Sequence, residues 1–200
     1  QVPLNGDVTS VMTSALPVGE NVIQVISPFP SKPVFQTVNK ASTATALTVP
    51  QNPSVFGQEV TFAAKVNALA PGSGTATGTV EFKDGVTTIG AGTLNGGAAT
   101  FIAPLLPTGP HSITASYSGD ANFDGNTSNS LLHNVDKANI TTSLTAAPNP
   151  SLFGQQVTLE AIVNAVAPGA GTPTGAVEFN EGTTTIGTGT LRGGAATVTI

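Results

Sequence analysis

Oxygen-bearing side chains alternate in Asp120-Ala121-Asn122-Phe123-Asp124-Gly125-Asn126. Such spacing, followed by a glycine turn, can wrap a hard cation such as calcium. The stretch matches the front half of an EF-hand loop. Its twelfth position, however, is Leu131, where a bidentate Glu is required, and no helical pattern flanks it. Two readings stay open. Asp120, Asn122 and Asp124 are candidate calcium ligands, or Asp120 and Asn122 bond nearby backbone N–H groups while Phe123 caps the core end. The corresponding stretch earlier in the chain, Ser27–Pro33, has no carboxylate. Calcium is therefore not a general feature of this sequence.

Other chemistry is thin. His111 precedes a strand pattern at a corner where a polar-tipped ring can tie the chain back, and His133 reads as a solvated residue beside the last strand of its block. No Gly-x-Ser-x-Gly elbow, P-loop lysine or His-Glu-x-x-His pair occurs. Glu81 and Glu178 occupy equivalent places in two different blocks, so they cannot act as a glycosidase pair. No catalytic residue and no cofactor are expected, and the chain does not read as an enzyme. Six Lys and Arg against eleven Asp and Glu give a net charge of −5. With no basic stripe to displace phosphate counterions, nucleic acid is not an expected partner. The absence of cysteine removes disulfides and thiol chemistry. No apolar run is long enough for a membrane span.

The elements around these residues are strands. Val60, Phe62, Ala64 and Val66 alternate with Thr61, Ala63 and Lys65, which puts the first set on a buried face. Asp84-Gly85 and Asn95-Gly96 are hairpin turn pairs, because glycine takes the positive φ that tight turns need. About seven strands are expected per unit, near 42–49, 58–67, 78–83, 87–94, 98–103, 111–118 and 129–135. Short strands at this spacing predict an all-β, antiparallel two-sheet sandwich. Its expected core includes Phe56, Val80, Phe82 and Tyr117, together with Phe153, Val177 and Phe179.

That second group exists because the text is written twice. Lys40–Ala103 and Lys137–Ile200 align without a gap at an offset of 97 residues, with 40 of 64 positions identical. A fixed long period marks one fold unit copied in tandem. Leu16-Pro17-Val18-Gly19 echoes Leu106-Pro107-Thr108-Gly109, and Val38-Asn39-Lys40 echoes Val135-Asp136-Lys137. The chain thus divides into 1–39, the C-terminal part of one unit; 40–136, a complete unit; and 137–200, the N-terminal part of a third. The third lacks counterparts of the strands at 111–118 and 129–135, which are the ones the first piece carries. Either the chain is a window on a longer array, or the strands of one copy complete the open unit of the next. Val8–Thr13 would repeat a strand that Ala195–Ile200 already provides.

The strings Asn52-Pro53-Ser54-Val55-Phe56-Gly57-Gln58 and Leu106-Pro107-Thr108-Gly109, followed by His-x-Ile-x-Ala-x-Tyr-Ser-Gly-Asp, resemble the bacterial immunoglobulin-like repeat domains. The repeated Thr-Gly-Thr-Val-Glu-Phe and Thr-Gly-Ala-Val-Glu-Phe texts extend that resemblance over essentially the whole chain. It implies an extracellular or cell-surface structural protein of tandem Ig-like sandwiches, a fibre or filament with an adhesive use. Implied partners are copies of itself or adjoining Ig-like units, end to end. The alternative is a glycan-binding or spacer module of a large secreted carbohydrate-active enzyme or adhesin. Exposed aromatics would favour that alternative, since sugar faces stack on rings.

Overall fold

The computed structural model describes residues 16–23, 32–103 and 105–200. The strand expected at Val8–Thr13 and most of the Ser27–Pro33 loop lie outside them. The described residues form strands and no helix, so none contains a helix able to cross a membrane. The first piece gives β1 (Gly19–Ile23) and β2 (Val34–Val38). The middle unit gives β3 (Thr43–Thr48), β4 (Ser54–Val55), β5 (Val60–Ala68), β6 (Thr79–Asp84), β7 (Thr87–Thr93), β8 (Ala98–Ala103), β9 (Gly109–Gly119), β10 (Asp124–Thr127) and β11 (Leu131–Asp136). The last unit gives β12 (Ile140–Ala147), β13 (Thr158–Ala165), β14 (Ala176–Glu181), β15 (Thr184–Thr190) and β16 (Ala195–Thr199). The seven strands expected in the middle unit are all present. The structure adds two short ones, β4 and β10.

In that unit β3-β5-β8 form one sheet and β4-β11-β9-β6-β7 the other, with β10 on the edge of β9. All pairs are antiparallel except β4 with β11, where Ser54 stands beside Val135. The alternation in β5 works as expected: Val60, Phe62, Ala64 and Val66 are buried, and Lys65 is exposed. Phe62, Val80, Phe82, Ile113 and Ala115 are fully excluded from water and Tyr117 nearly so. Burying each large apolar side chain stabilises the fold by about 1.5–3 kcal/mol. Phe101 stacks on Phe82 at 5.4 Å between ring centres. The Asp-Gly turn joins β6 to β7, with Gly85 at φ +57°.

The first piece carries the register of the middle unit. Gly19 pairs with Val38 and Asn21 with Gln36, as Gly109 pairs with Val135 and His111 with His133. β1 and β2 are therefore the counterparts of β9 and β11. In the last unit β12-β13-β16 and β14-β15 reproduce β3-β5-β8 and β6-β7. Ala161, Val163, Phe179 and Ala196 are buried, but Val177 is half-buried and Leu144 is 62% exposed. Nothing among the described residues stands beside them where β9 and β11 stand in the middle unit.

Two expectations require correction. Phe153, expected in the core with Phe56, is fully exposed. Phe56 is half-buried because β4 holds the preceding residues on β11, and its N–H donates to the Asp136 carbonyl at 2.8 Å. Among the described residues no such strand pairs with Ser151 and Leu152, and Phe153 is not drawn inward. His133, expected to be solvated, is fully buried. It shares the inward face of β11 with Val135, and Ser54 supplies the polar partner that burial demands.

Candidate functional site at the unit corners and joints

In the Asp120 loop the side chains of Asp120 and Asn126 are already engaged within the protein. Asp120 Oδ1 accepts from the N–H groups of Asn122 and Phe123 at 2.8 and 2.9 Å. Asp120 Oδ2 accepts from the Thr77 N–H at 2.9 Å and the Thr77 hydroxyl at 2.7 Å. Lys40 Nζ donates to the Asp120 carbonyl at 2.6 Å. Burial works against the charge on this carboxyl, yet the four donors prevail and hold its pKa well below the usual carboxylate range. Asn126 Oδ1 accepts from the Thr45 N–H, and the Asp124 carbonyl accepts from the Thr43 hydroxyl. Phe123 is buried and forms a bridge with Ala41. The loop thus staples the sheet of β9 to the start of β3. Among the described residues no three acidic or histidine side chains converge as a metal-binding group would.

Tyr117 lies under this staple. Its hydroxyl is buried without a hydrogen-bond partner of good geometry. Burial first, then the neighbouring Asp120 carboxylate, push its pKa up to about 12.

His111 is a corner tie. Its Nδ1 meets Asp84 Oδ2 at 2.6 Å and its Nε2 meets the Pro107 carbonyl at 2.9 Å. Both partners accept, so the contacts are both satisfied when the ring is protonated and each nitrogen donates. Burial lowers its pKa, but the Asp84 carboxylate and the Pro107 carbonyl outweigh that effect, and the net shift is upward. The first piece repeats the tie with a different residue: Asn21 Nδ2 donates to the Pro17 carbonyl at 2.9 Å. Residue type changes between the copies while the bond four residues back is kept.

Ser54 and His133 escaped sequence reasoning. Ser54 Oγ lies 2.9 Å from His133 Nε2, the spacing of a nucleophile and its base. Both side chains are sealed from solvent, so no substrate reaches them. His133 Nδ1 is buried with no partner. Ser54 Oγ and His133 Nε2 therefore share one hydrogen bond, whose donor is set by the tautomer of the ring. Burial, and then the charge on His111, lower the His133 pKa. Phe62 meets the ring edge-on at 5.6 Å. The only available signal was its alternation with Val135.

The joint between the middle and last units is direct. The Phe56 carbonyl accepts from the Ala170 N–H at 3.1 Å. A Cβ added at Gly57 would overlap the Ala170 backbone, and Gly57 has φ +85°, so only glycine fits. A Cβ on Gly171 would lie 3.1 Å from the Phe56 ring.

Two facing antiparallel sheets with a short strand crossing to pair in parallel with the last one define an immunoglobulin-like sandwich. The repeat of that unit along the chain defines a tandem module. The chain belongs to the bacterial Ig-like domain family, group 3, whose model matches residues 47–136 and again 144–200. Among solved structures, one described as "Structures of Clostridium thermocellum CbhA fibronectin(III)-like modules" is similar at 18% identity, covering 78% of each chain with a TM-score of 0.34. No curated protein matches the sequence.

Proposed function

We propose that this chain is a non-enzymatic structural segment of an extracellular or cell-surface protein, in which tandem Ig-like sandwiches give length and stiffness. The joint carries this reading. Only Lys137–Asn139 separate β11 from β12, and the Phe56-Gly57 turn of one unit bonds to the Ala170 backbone of the next. A linker this short, backed by a contact, restricts swing between units. The buried Ser54–His133 pair and the saturated Asp120 carboxylate favour structural over catalytic roles for the polar groups. Weakly charged outer faces suit lateral packing, since sparse charge lowers the electrostatic resistance to association. Small-angle scattering tests the stiffness: a rod-like profile is expected, which Phe56→Ala with Gly57→Ala should bend. A wild-type profile matching freely jointed units would overturn the reading. Protease treatment of intact source cells tests the location, with loss of the chain expected.

A glycan-binding role has the exposed rings of Phe35 and Phe153 in its favour. Oligosaccharide titration followed by NMR would show shifts clustered at those residues. Their absence would leave the structural reading alone.

A further inference from the structure

We infer that the paired histidines of the middle unit form an acid-sensitive latch: proton uptake by the buried His133 ring releases the Asn52–Phe56 segment from β11 while the rest of the sandwich stays folded.

The segment is a short strip held along one edge. Ser54 pairs with Val135 and Val55 with Asp136. A side chain continues the ladder beyond them. Asn52 Oδ1 accepts from the Asn134 N–H at 3.0 Å, and Asn52 Nδ2 donates to the Leu132 carbonyl at 2.7 Å. The Phe56 N–H closes the strip on the Asp136 carbonyl. So few bonds to a single neighbour make local opening far cheaper than opening of the core. Ser54 is the buried anchor of the strip, and its Oγ is bonded to His133 Nε2.

That anchor rests on a ring that can take a proton. His133 is fully excluded from water, its Nδ1 has no partner, and Phe62 meets the ring edge-on. Directly across the ladder, on the same inward face, stands His111. Asp84 and the Pro107 carbonyl hold His111 and favour its protonated form. Cross-strand neighbours on one face have Cβ atoms about 4.5–5.5 Å apart. A proton on His133 therefore sets a second positive charge beside the first, in a site with no acceptor for the new N–H.

The remaining groups around His133 do not offset that charge. Ser54 of β4, Phe62 of β5 and Val135 of β11 are neutral. The Asp84 carboxylate is engaged by His111, and Asp136 and Glu59 are exposed to water. The Tyr117 phenol, further along the inward face of β9, is neutral throughout this range. Lifting the strip lets water reach the imidazolium, gives Nδ1–H an acceptor and screens the two rings from each other. It also bares the outer edge of β11 at the Leu132 carbonyl, the Asn134 N–H and the Asp136 carbonyl. In the first piece Gln36 stands where His133 stands, opposite Asn21 in place of His111. The response therefore belongs to the middle unit and is not a general property of the repeat.

Hydrogen exchange of the full chain, followed by NMR from about pH 6.5 to pH 4.5 and corrected for intrinsic rates, tests the latch. Protection of the Phe56 and Asn134 amides should fall by up to about tenfold per pH unit, the limit for an opening coupled to one proton. Phe62 and Ala64 in β5 should keep their protection. His133→Gln should flatten the response, and His111→Asn should move it to lower pH by removing the neighbouring charge. Unchanged protection at Phe56 and Asn134 would overturn the inference, as would an equal loss in β5, which marks opening of the whole unit. A response that survives His133→Gln would do the same. Should that variant fail to fold, the wild-type ring decides: the His133 carbon resonances should titrate in step with exchange at Phe56, and titration without that exchange sinks the latch.

Discussion

Ser54 Oγ and His133 Nε2 stand 2.9 Å apart in full burial, and their contact binds the short strand β4 to the end of β11. The next residue after β4 is Phe56, which meets the following unit. The polar pair inside one sandwich therefore fixes the element that touches its neighbour.

Removing that pair should weaken the middle unit. Ser54→Ala leaves His133 Nε2 without a partner and should cost about 1–3 kcal/mol in urea unfolding, the usual penalty for an orphaned buried polar group. His133→Gln, the residue found at the equivalent Gln36, should cost less if its amide reaches Ser54.

The pH dependence of the two histidines should run in opposite directions. His133 has a folded pKa below its unfolded value of about 6.5. Its contribution is fully present above pH 6.5 and is lost as pH falls through the folded value. Unfolding experiments from neutral to acidic pH should show this decline, flattened in His133→Gln.

His111 has a raised pKa. Its contribution is present below about pH 6.5 and is lost as pH rises through the folded value. In His111→Asn the slope should vanish above neutrality, while the Pro107 bond survives as Asn21 keeps its bond to Pro17. NMR titration of the His111 ring should give a midpoint above that of a free histidine.

Asp120→Asn should lower the pKa of Tyr117, because it removes the negative charge beside the phenol. Tyr117 is the single tyrosine and the chain has no tryptophan, so ultraviolet titration reads it cleanly. The wild type should ionise near pH 12. Calcium should leave the wild-type melting temperature unchanged, since both Asp120 oxygens already accept two donors each.

Phe56→Ala should destabilise by up to about 3 kcal/mol, the low end for an aromatic truncation because the ring is only half-buried. Phe153→Ala should change the stability of the isolated chain by less than about 0.5 kcal/mol, as exposed substitutions do. Calorimetry on both variants compares one motif in its two settings.

Much of the fold was legible because sandwich strands write their burial into a period of two. Val60–Val66 fixed the inward face of β5, and Asp84-Gly85 marked the hairpin between β6 and β7. The equivalence of β1 and β2 with β9 and β11 followed from the echo of Leu16–Gly19 and was met residue for residue in the pairing. The candidate site was less legible. The pattern Asp-x-Asn-x-Asp does not say whether a carboxylate faces a cation or backbone N–H groups. Thr77, which decides the matter for Asp120, lies 43 residues earlier in the chain.

The amino-acid order alone determined the repeat, the sheet alternation and the tight turns, because each depends on neighbours within a few residues or on copying. Only the tertiary structure decided that His133 is sealed, that Asp120 is a staple, and that Phe56 is seated while Phe153 is bare. Those outcomes depend on which distant strand stands alongside, as β11 does for Ser54 across 79 residues of chain. The same short motif half-buries its ring where such a strand is present and exposes it where none is described.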